Sequence, residues 1–191
     1  MTTGNPPSVR VVALDSIDVE PIAALVNRAF TRYSNIFKGN RTSTQEYRDE
    51  SGPGARVILV EDEGVLVATG IVAPAEPFAD AEQHGPAGTQ RPEAASPLDE
   101  THPWVGALYL GLVGVEPAIM NRGLGRKVVQ AFEDLARTEG YPRVALGTLR
   151  EFGLVDYYDR LGYRVHAETV YAPGHWDIVV EHHNCEMVKD L

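Results

Sequence analysis

Val113-Gly114-Val115-Glu116-Pro117-Ala118-Ile119-Met120-Asn121-Arg122-Gly123-Leu124-Gly125-Arg126-Lys127 joins an apolar run to an amphipathic one. Upstream, Val105 to Val115 carries no acid or base and reads as a strand. Downstream, Leu124, Val128 and Phe132 recur at i, i+4 and i+8, with Ala131 and Leu135 beside them, which is one face of a helix. Between the two, Gly123 and Gly125 let the backbone come close to a partner. A helix N-terminus offers unpaired N–H groups and the positive end of a dipole, and that combination binds phosphate. On the turn alone, a phosphate cradle and an ordinary tight strand-to-helix turn stand about even.

Two familiar phosphate loops fail on the residues. A Walker-type loop needs Gly-Lys-Ser/Thr, and here Gly125 is followed by Arg126-Lys127-Val128. The dinucleotide fingerprint needs a third glycine where Val128 stands, and an acid after a second strand that the chain does not supply.

Nearer the N-terminus, Val9 to Leu14 is a short β-branched run and the expected first strand. Pro21 sits in a first helical turn, and Ile22, Leu25, Val26, Ala29 and Phe30 fall on one helical face that should end near Tyr33. Ser34 to Ser43 reads as a polar linker, and Thr44 to Glu50 as a short second helix broken by Ser51-Gly52-Pro53-Gly54. Arg56–Val60 and Val65–Ala73 form a hairpin through Glu61-Asp62-Glu63-Gly64. Pro74 to Pro103 shifts in composition, with six prolines and no periodicity, and reads as a surface insertion or as a loop over a substrate site. Trp104 to Val115 is expected to be the longest and most central strand. The helix from Leu124 to Glu139 closes at Gly140. Arg143–Leu149 follows as a strand, Glu151–Leu161 as a helix ending at Gly162, and Tyr163–Tyr171 and His182–Val188 as strands around the turn Ala172-Pro173-Gly174. The order β, α, α, β, β, β, α, β, α, β, β predicts a mixed α/β sheet with helices on both faces.

Composition bounds the rest. The 191 residues suffice for one domain with a core of its own. A single cysteine, Cys185, excludes an intrachain disulfide framework and a four-cysteine zinc site. The formal net charge of −10 disfavours nucleic-acid binding. No apolar run approaches a membrane span, and Met1 to Pro7 lacks the features of a signal peptide, so a cytoplasmic protein without membrane contact is expected.

Tyr158-Asp159-Arg160-Leu161-Gly162-Tyr163 follows the cradle by one strand and one helix. Together the two stretches resemble the GNAT superfamily of acetyl-CoA-dependent N-acetyltransferases. That family has Val-x-Pro-x-x-Arg/Gln-x-x-Gly-x-Gly/Ala after its fourth strand and Tyr-x-x-x-Gly-Phe/Tyr at the end of its fourth helix. Val115, Pro117, Gly123 and Gly125 match the first segment, and Tyr158, Gly162 and Tyr163 the second. The element order fits from about Val9 to Asp190, apart from the insertion. The resemblance implies a single acyltransferase domain over 1–191 with an insertion at about 74–103. Its sheet would be seven-stranded, mixed and mostly antiparallel, splayed between strands 4 and 5.

The resemblance also implies direct transfer of an acetyl group from acetyl-CoA, as co-substrate and without a metal, to an amine of a small molecule or peptide. The N–H groups of Asn121, Arg122, Gly123, Leu124, Gly125 and Arg126 would take the pyrophosphate, and the backbone at Val113 and Val115 the pantetheine arm and the developing oxyanion. Tyr158 would give the leaving thiolate its proton. This sequence departs from the family at Met120, where Arg or Gln is usual, and at Glu151, where an Asn touching the pantetheine arm is common. Those departures keep a second reading in view: a non-catalytic acyl-CoA-binding sensor or partner-binding module of the same fold.

For the general base, Glu116, His166, Glu168, His182 and His183 are in reach of the later strands and none stands out. Each histidine reads first as a surface or packing residue, and no i, i+4 pair suggests zinc. Tyr33, Phe37, Tyr47, Trp104, Tyr171 and Trp176 are the aromatic candidates for an acceptor pocket, most of them expected to be core. Whether two chains pair into a homodimer is left open by the sequence.

Overall fold

The computed structural model describes residues 6–49, 51–52, 54–75 and 102–191. The elements are β1 (Ser8–Ala13), α1 (Glu20–Phe30), α2 (Thr44–Asp49), β2 (Arg56–Asp62), β3 (Val65–Pro74), β4 (Leu108–Val115), α3 (Leu124–Thr138), β5 (Arg143–Leu149), α4 (Val155–Asp159), β6 (Arg164–Tyr171) and β7 (His182–Asp190). They follow the expected order. The strands hydrogen-bond as β1-β2-β3-β4-β5-β7-β6 in one mixed, mostly antiparallel sheet whose β4–β5 pair is parallel. Most of the expected Pro74–Pro103 insertion lies outside the described residues, although Pro74 itself ends β3.

By Cα packing, the described residues fall into two compact units. The first takes those within Met1–Arg32, Asn40–Ala73 and Leu110–Leu135. Here β1, β2 and β3 form an antiparallel meander. Glu63 and Gly64, at φ 50° and 80°, make the two-residue β2–β3 turn. Two successive left-handed residues match the twist of the strands they join. The apolar face of α1 packs Ile22 and Val26 against Tyr47 of α2 and against Val57, Leu59 and Ile71 of the sheet. Ser43 and Glu46 cap α2 reciprocally: the Glu46 N–H donates to Ser43 Oγ at 3.1 Å, and the Ser43 N–H to Glu46 Oε2 at 2.6 Å. Asn27 on α1 holds the entry to α2 by bonding both the N–H and the carbonyl of Thr42, at 3.0 and 2.8 Å.

Gly114 is where α1 crosses β4 most closely. A Cβ added there would stand 3.2 Å from Val26 Cα and 3.5 Å from Ala29 Cβ. The nearest of these is backbone and yields little. Gly114→Ala is therefore expected to destabilise the protein by about 1–3 kcal/mol through overpacking. Urea unfolding measures it; an unchanged midpoint would show that α1 does not sit this close.

The second unit takes the described residues within Tyr33–Gly39, Pro74–Tyr109 and Ala136–Leu191. β5 pairs with β7, and β7 with β6, both antiparallel. Trp104, Ala107, Ala145 and Val188 form a core cluster with Tyr109 beside it. Trp104 lies in a turn before β4, which starts at Leu108, and β4 with 8 residues is shorter than β3 with 10. The long apolar run therefore divides: Gly106, at φ 72°, turns the chain before the strand begins. The expected Glu151–Leu161 helix also divides. A 3-10 turn at Arg150–Phe152 ends at Gly153, φ 67°, and only then does α4 begin.

Candidate active site

The cradle belongs to the first unit. After β4, a 3-10 turn at Pro117–Ile119 leads to Asn121 and Gly123, at φ 65° and 76°. Asparagine and glycine are the residues that adopt this left-handed conformation at least cost. Alternation of handedness around Arg122 makes a concave run of backbone amides, the geometry of an anion nest. The first i→i−4 bond of α3 runs from the Lys127 N–H to the Gly123 carbonyl at 3.1 Å. The N–H groups of residues 123–126 precede it, and the first four amides of a helix have no intrahelical acceptor. Glycine at the N-cap also lacks the side-chain oxygen that would otherwise take one of them. Asn121, Arg122, Gly123 and Arg126 are exposed, and the first turn of α3 carries no acid. A Cβ on Gly123 would meet nothing within 4 Å, so there is room above the turn. Backbone donors, free space and basic neighbours suit a pyrophosphate.

Met120 is half-buried, and Arg32 Nη1 lies 3.8 Å from its sulfur. Glu116, a candidate base, is engaged. Arg28 donates to its Oε2 from Nε and Nη2 at 3.1 and 3.0 Å.

β4 contains an irregularity that sequence reading missed. A Cβ on Gly70 would lie 3.0 Å from Leu110 Cδ1 and 3.5 Å from Val113 Cγ2, on the side where Val128 of α3 packs. Leu112 and Gly114 instead face α1. Leu110 and Val113, three apart, thus share a face, which a regular strand forbids. Leu112, between them, is left-handed at φ 45°. A left-handed residue inside a strand re-aims the backbone beside it, here at Val113, the residue expected to face the thioester.

Tyr158 belongs to the second unit, on α4. Its ring is 6% exposed and meets Tyr157 and Tyr163 edge-on at centroid distances of 5.2 and 5.9 Å. The helix ends through left-handed Gly162, which lets the Gly162 N–H reach Asp159 O at 2.8 Å and the Tyr163 N–H reach Tyr158 O at 3.0 Å. This is a Schellman-type close, and it gives the Tyr-x-x-x-Gly-Tyr spacing a physical reason. Burial pushes the Tyr158 hydroxyl well above its ordinary range, helped by the phenols of Tyr157, Tyr109 and Tyr33. The group therefore stays protonated, as a donor must.

Around it the second unit gathers rings. Tyr33 stacks on Phe152 at 4.2 Å, with Phe37 at 5.7 Å from the same ring. The segment of Ile36 to Lys38 is fastened to the stretch after β6: the Lys38 N–H donates to Asp177 O at 2.9 Å, and the Val179 N–H to Ile36 O at 2.8 Å. Tyr171, His175 and His182 stack, and Trp176, 47% exposed, leans against Tyr171 and His175. Trp176 and Asp177 are both left-handed, at φ 53° and 58°. Tyr47 and Trp104 are core residues and leave the list of pocket candidates.

Among the histidines, His182 is fully buried and its Nδ1 lies 3.1 Å from Val180 O. Simple alternation does not relate His166 to Glu168, because β6 shifts register between Val165 and Ala167. The His166 ring meets that of His102. Glu168 is held by Arg150 through two bonds of 2.7 and 2.5 Å, which lower its carboxyl pKa. His183 and Glu151, which sequence spacing does not connect, are joined directly. Among the described residues, no group of three or more His, Cys, Asp or Glu is placed to hold a metal, and no helix is long and apolar enough to cross a membrane.

A model of the acetyltransferase (GNAT) family matches residues 22–163, and the chain belongs to that family. The fold is shared with solved structures at low identity. The ribosomal-protein-S18-alanine N-acetyltransferase from Escherichia coli is 14% identical, over 96% of this chain and 94% of its own, with a TM-score of 0.63. The ribosomal-protein-alanine N-acetyltransferase from Brucella melitensis is 17% identical, over 96% and 99%, with a TM-score of 0.65. Salmonella typhimurium yncA, solved with its cofactor acetyl-CoA, is 18% identical, over 96% and 94%, with a TM-score of 0.61. No curated protein matches the chain.

Proposed function

We propose that this protein is a single-domain N-acetyltransferase that moves an acetyl group from acetyl-CoA directly to an amine of a small molecule or peptide, in the cytoplasm. The observation that carries the reading is the left-handed Asn121 and Gly123 ahead of the uncapped amides of α3. In this reading the amides of Asn121 to Arg126 take the CoA pyrophosphate, with the helix dipole behind them and Arg122 and Arg126 beside it. Basic neighbours and backbone donors do the work that a side chain at Met120 would otherwise share. The backbone at Val113 and Val115, beside left-handed Leu112, pairs with the pantetheine arm and donates to the developing oxyanion. Tyr158 gives a proton to the sulfur that leaves. The stretch at about 74–103 is an insertion in this domain. The E. coli and B. melitensis neighbours are ribosomal-protein-alanine N-acetyltransferases, which makes alanine-containing peptides a sensible first acceptor class to try.

Thiol release from acetyl-CoA with a panel of alanine-containing peptides, polyamines and aminoglycosides tests the proposal. Release that depends on one class of amine supports it. Tight CoA binding with no release from any amine would leave the non-catalytic module as the better account.

A further inference from the structure

We propose that His183 is the general base that takes the proton from the acceptor ammonium, with Glu151 as its positioning residue; this rests on the N-acetyltransferase reading. His183 Nδ1 lies 2.8 Å from Glu151 Oε1, and the His183 N–H is 3.2 Å from both carboxylate oxygens. A carboxylate only accepts, so Nδ1 carries the hydrogen, and in the neutral ring the lone pair is then on Nε2. The carboxylate is grasped by the ring and the backbone of one residue, which fixes the direction of the imidazole. Burial alone would raise the Glu151 carboxyl. Hydrogen bonds from the His183 ring and from the backbone amides of Glu151 and His183 outweigh it and hold it below the usual range. It therefore stays an acceptor at neutral pH. The His183 side chain is 35% exposed, open enough to reach a ligand.

The place in the fold is suited to the task. Glu151 follows the carboxyl end of β5, and β7 starts beside it, with Leu149 opposite Asn184. Phe152, next to Glu151, stacks on Tyr33, and the phenol of Tyr33 acts electrostatically on Tyr158. Glu151, His183 and the proposed acid thus belong to one neighbourhood of the second unit. The other titratable groups around His183 are Arg150 and Glu168, which pair with each other, and the thiol of Cys185 two residues along β7, which burial keeps neutral; Val170 lies opposite His183 on β6.

The protons balance. Nε2 takes one proton from R–NH3+ and passes it to water. The free amine attacks the thioester carbonyl, the N–C bond forms and the C–S bond breaks. Tyr158 gives its proton to the leaving sulfur and is restored by the second nitrogen proton, and the amide keeps the third.

The test compares wild type, His183→Gln, Glu151→Gln and Glu151→Asp. Each is assayed with the fastest primary amine of the panel and with its alkoxyamine analogue, which is already neutral at pH 7. With the primary amine, His183→Gln should lower kcat/KM by about 10²–10⁴, with the rate climbing again as pH rises and frees the amine. With the alkoxyamine the loss should shrink by at least about tenfold, because no base is needed for that first proton. Glu151→Gln should show the same selectivity more mildly, and Glu151→Asp should restore part of it. CoA affinity by calorimetry should stay at the wild-type value throughout. A loss that does not distinguish the two acceptors, or full activity in His183→Gln, overturns the assignment while wild-type turnover stands. Absence of turnover in wild type with every amine would instead remove the transferase reading itself.

Discussion

Gly125→Glu is expected to weaken CoA binding about a hundredfold. The new carboxylate would stand in the first turn of α3, among the amides assigned to the pyrophosphate. At about 6 Å and an effective dielectric of about 20, two like unit charges repel by about 3 kcal/mol, which is about two decades in Kd. The same substitution should not harm folding. Glutamate is a better helix former than glycine and complements the positive end of the dipole. Thermal stability without ligand should therefore hold or rise while affinity falls. Calorimetric titration with CoA reads the one, and a melting curve the other. Unchanged affinity would remove the pyrophosphate from this turn.

Tyr158→Phe is expected to lower kcat by about tenfold or more, the low end of a general-acid contribution, with CoA affinity unchanged. The phenylalanine ring fills the same space against Tyr157 and Tyr163, so packing is kept and only the hydroxyl goes. Burial keeps that hydroxyl protonated throughout the physiological range, so the wild-type rate should show no loss from its ionisation below about pH 10, the ordinary phenol value. Steady-state turnover with saturating acceptor measures the effect. Full activity in Tyr158→Phe would make Tyr158 a packing residue only.

The readable part of this chain was local. The strand Arg143–Leu149, the helix from Leu124 and the Glu63-Gly64 turn each announce themselves through periodicity or through residues that tolerate positive φ. Gly123 and Gly162 were legible for the same reason, and the structure adds why each spacing is needed. What stayed hidden depends on contacts between distant residues or on backbone held against its preference. Nothing about Leu112 signals a left-handed residue inside a strand; packing against α1 on one side and α3 on the other imposes it. Glu151 reads in sequence only as a departure from a family pattern, and its partner His183 lies 32 residues away. Arg28 and Glu116 meet across 88 residues. The Ser43–Glu46 capping box was local and readable, but the polar linker around it obscured the signal.

Crystals of the protein soaked with CoA offer the most direct measurement. Density for the pyrophosphate is expected over the amides of Asn121 to Arg126, with the pantetheine arm running along the backbone of Val113 to Val115. A pyrophosphate bound elsewhere on the molecule, with the Asn121–Arg126 amides facing only solvent, would contradict this placement.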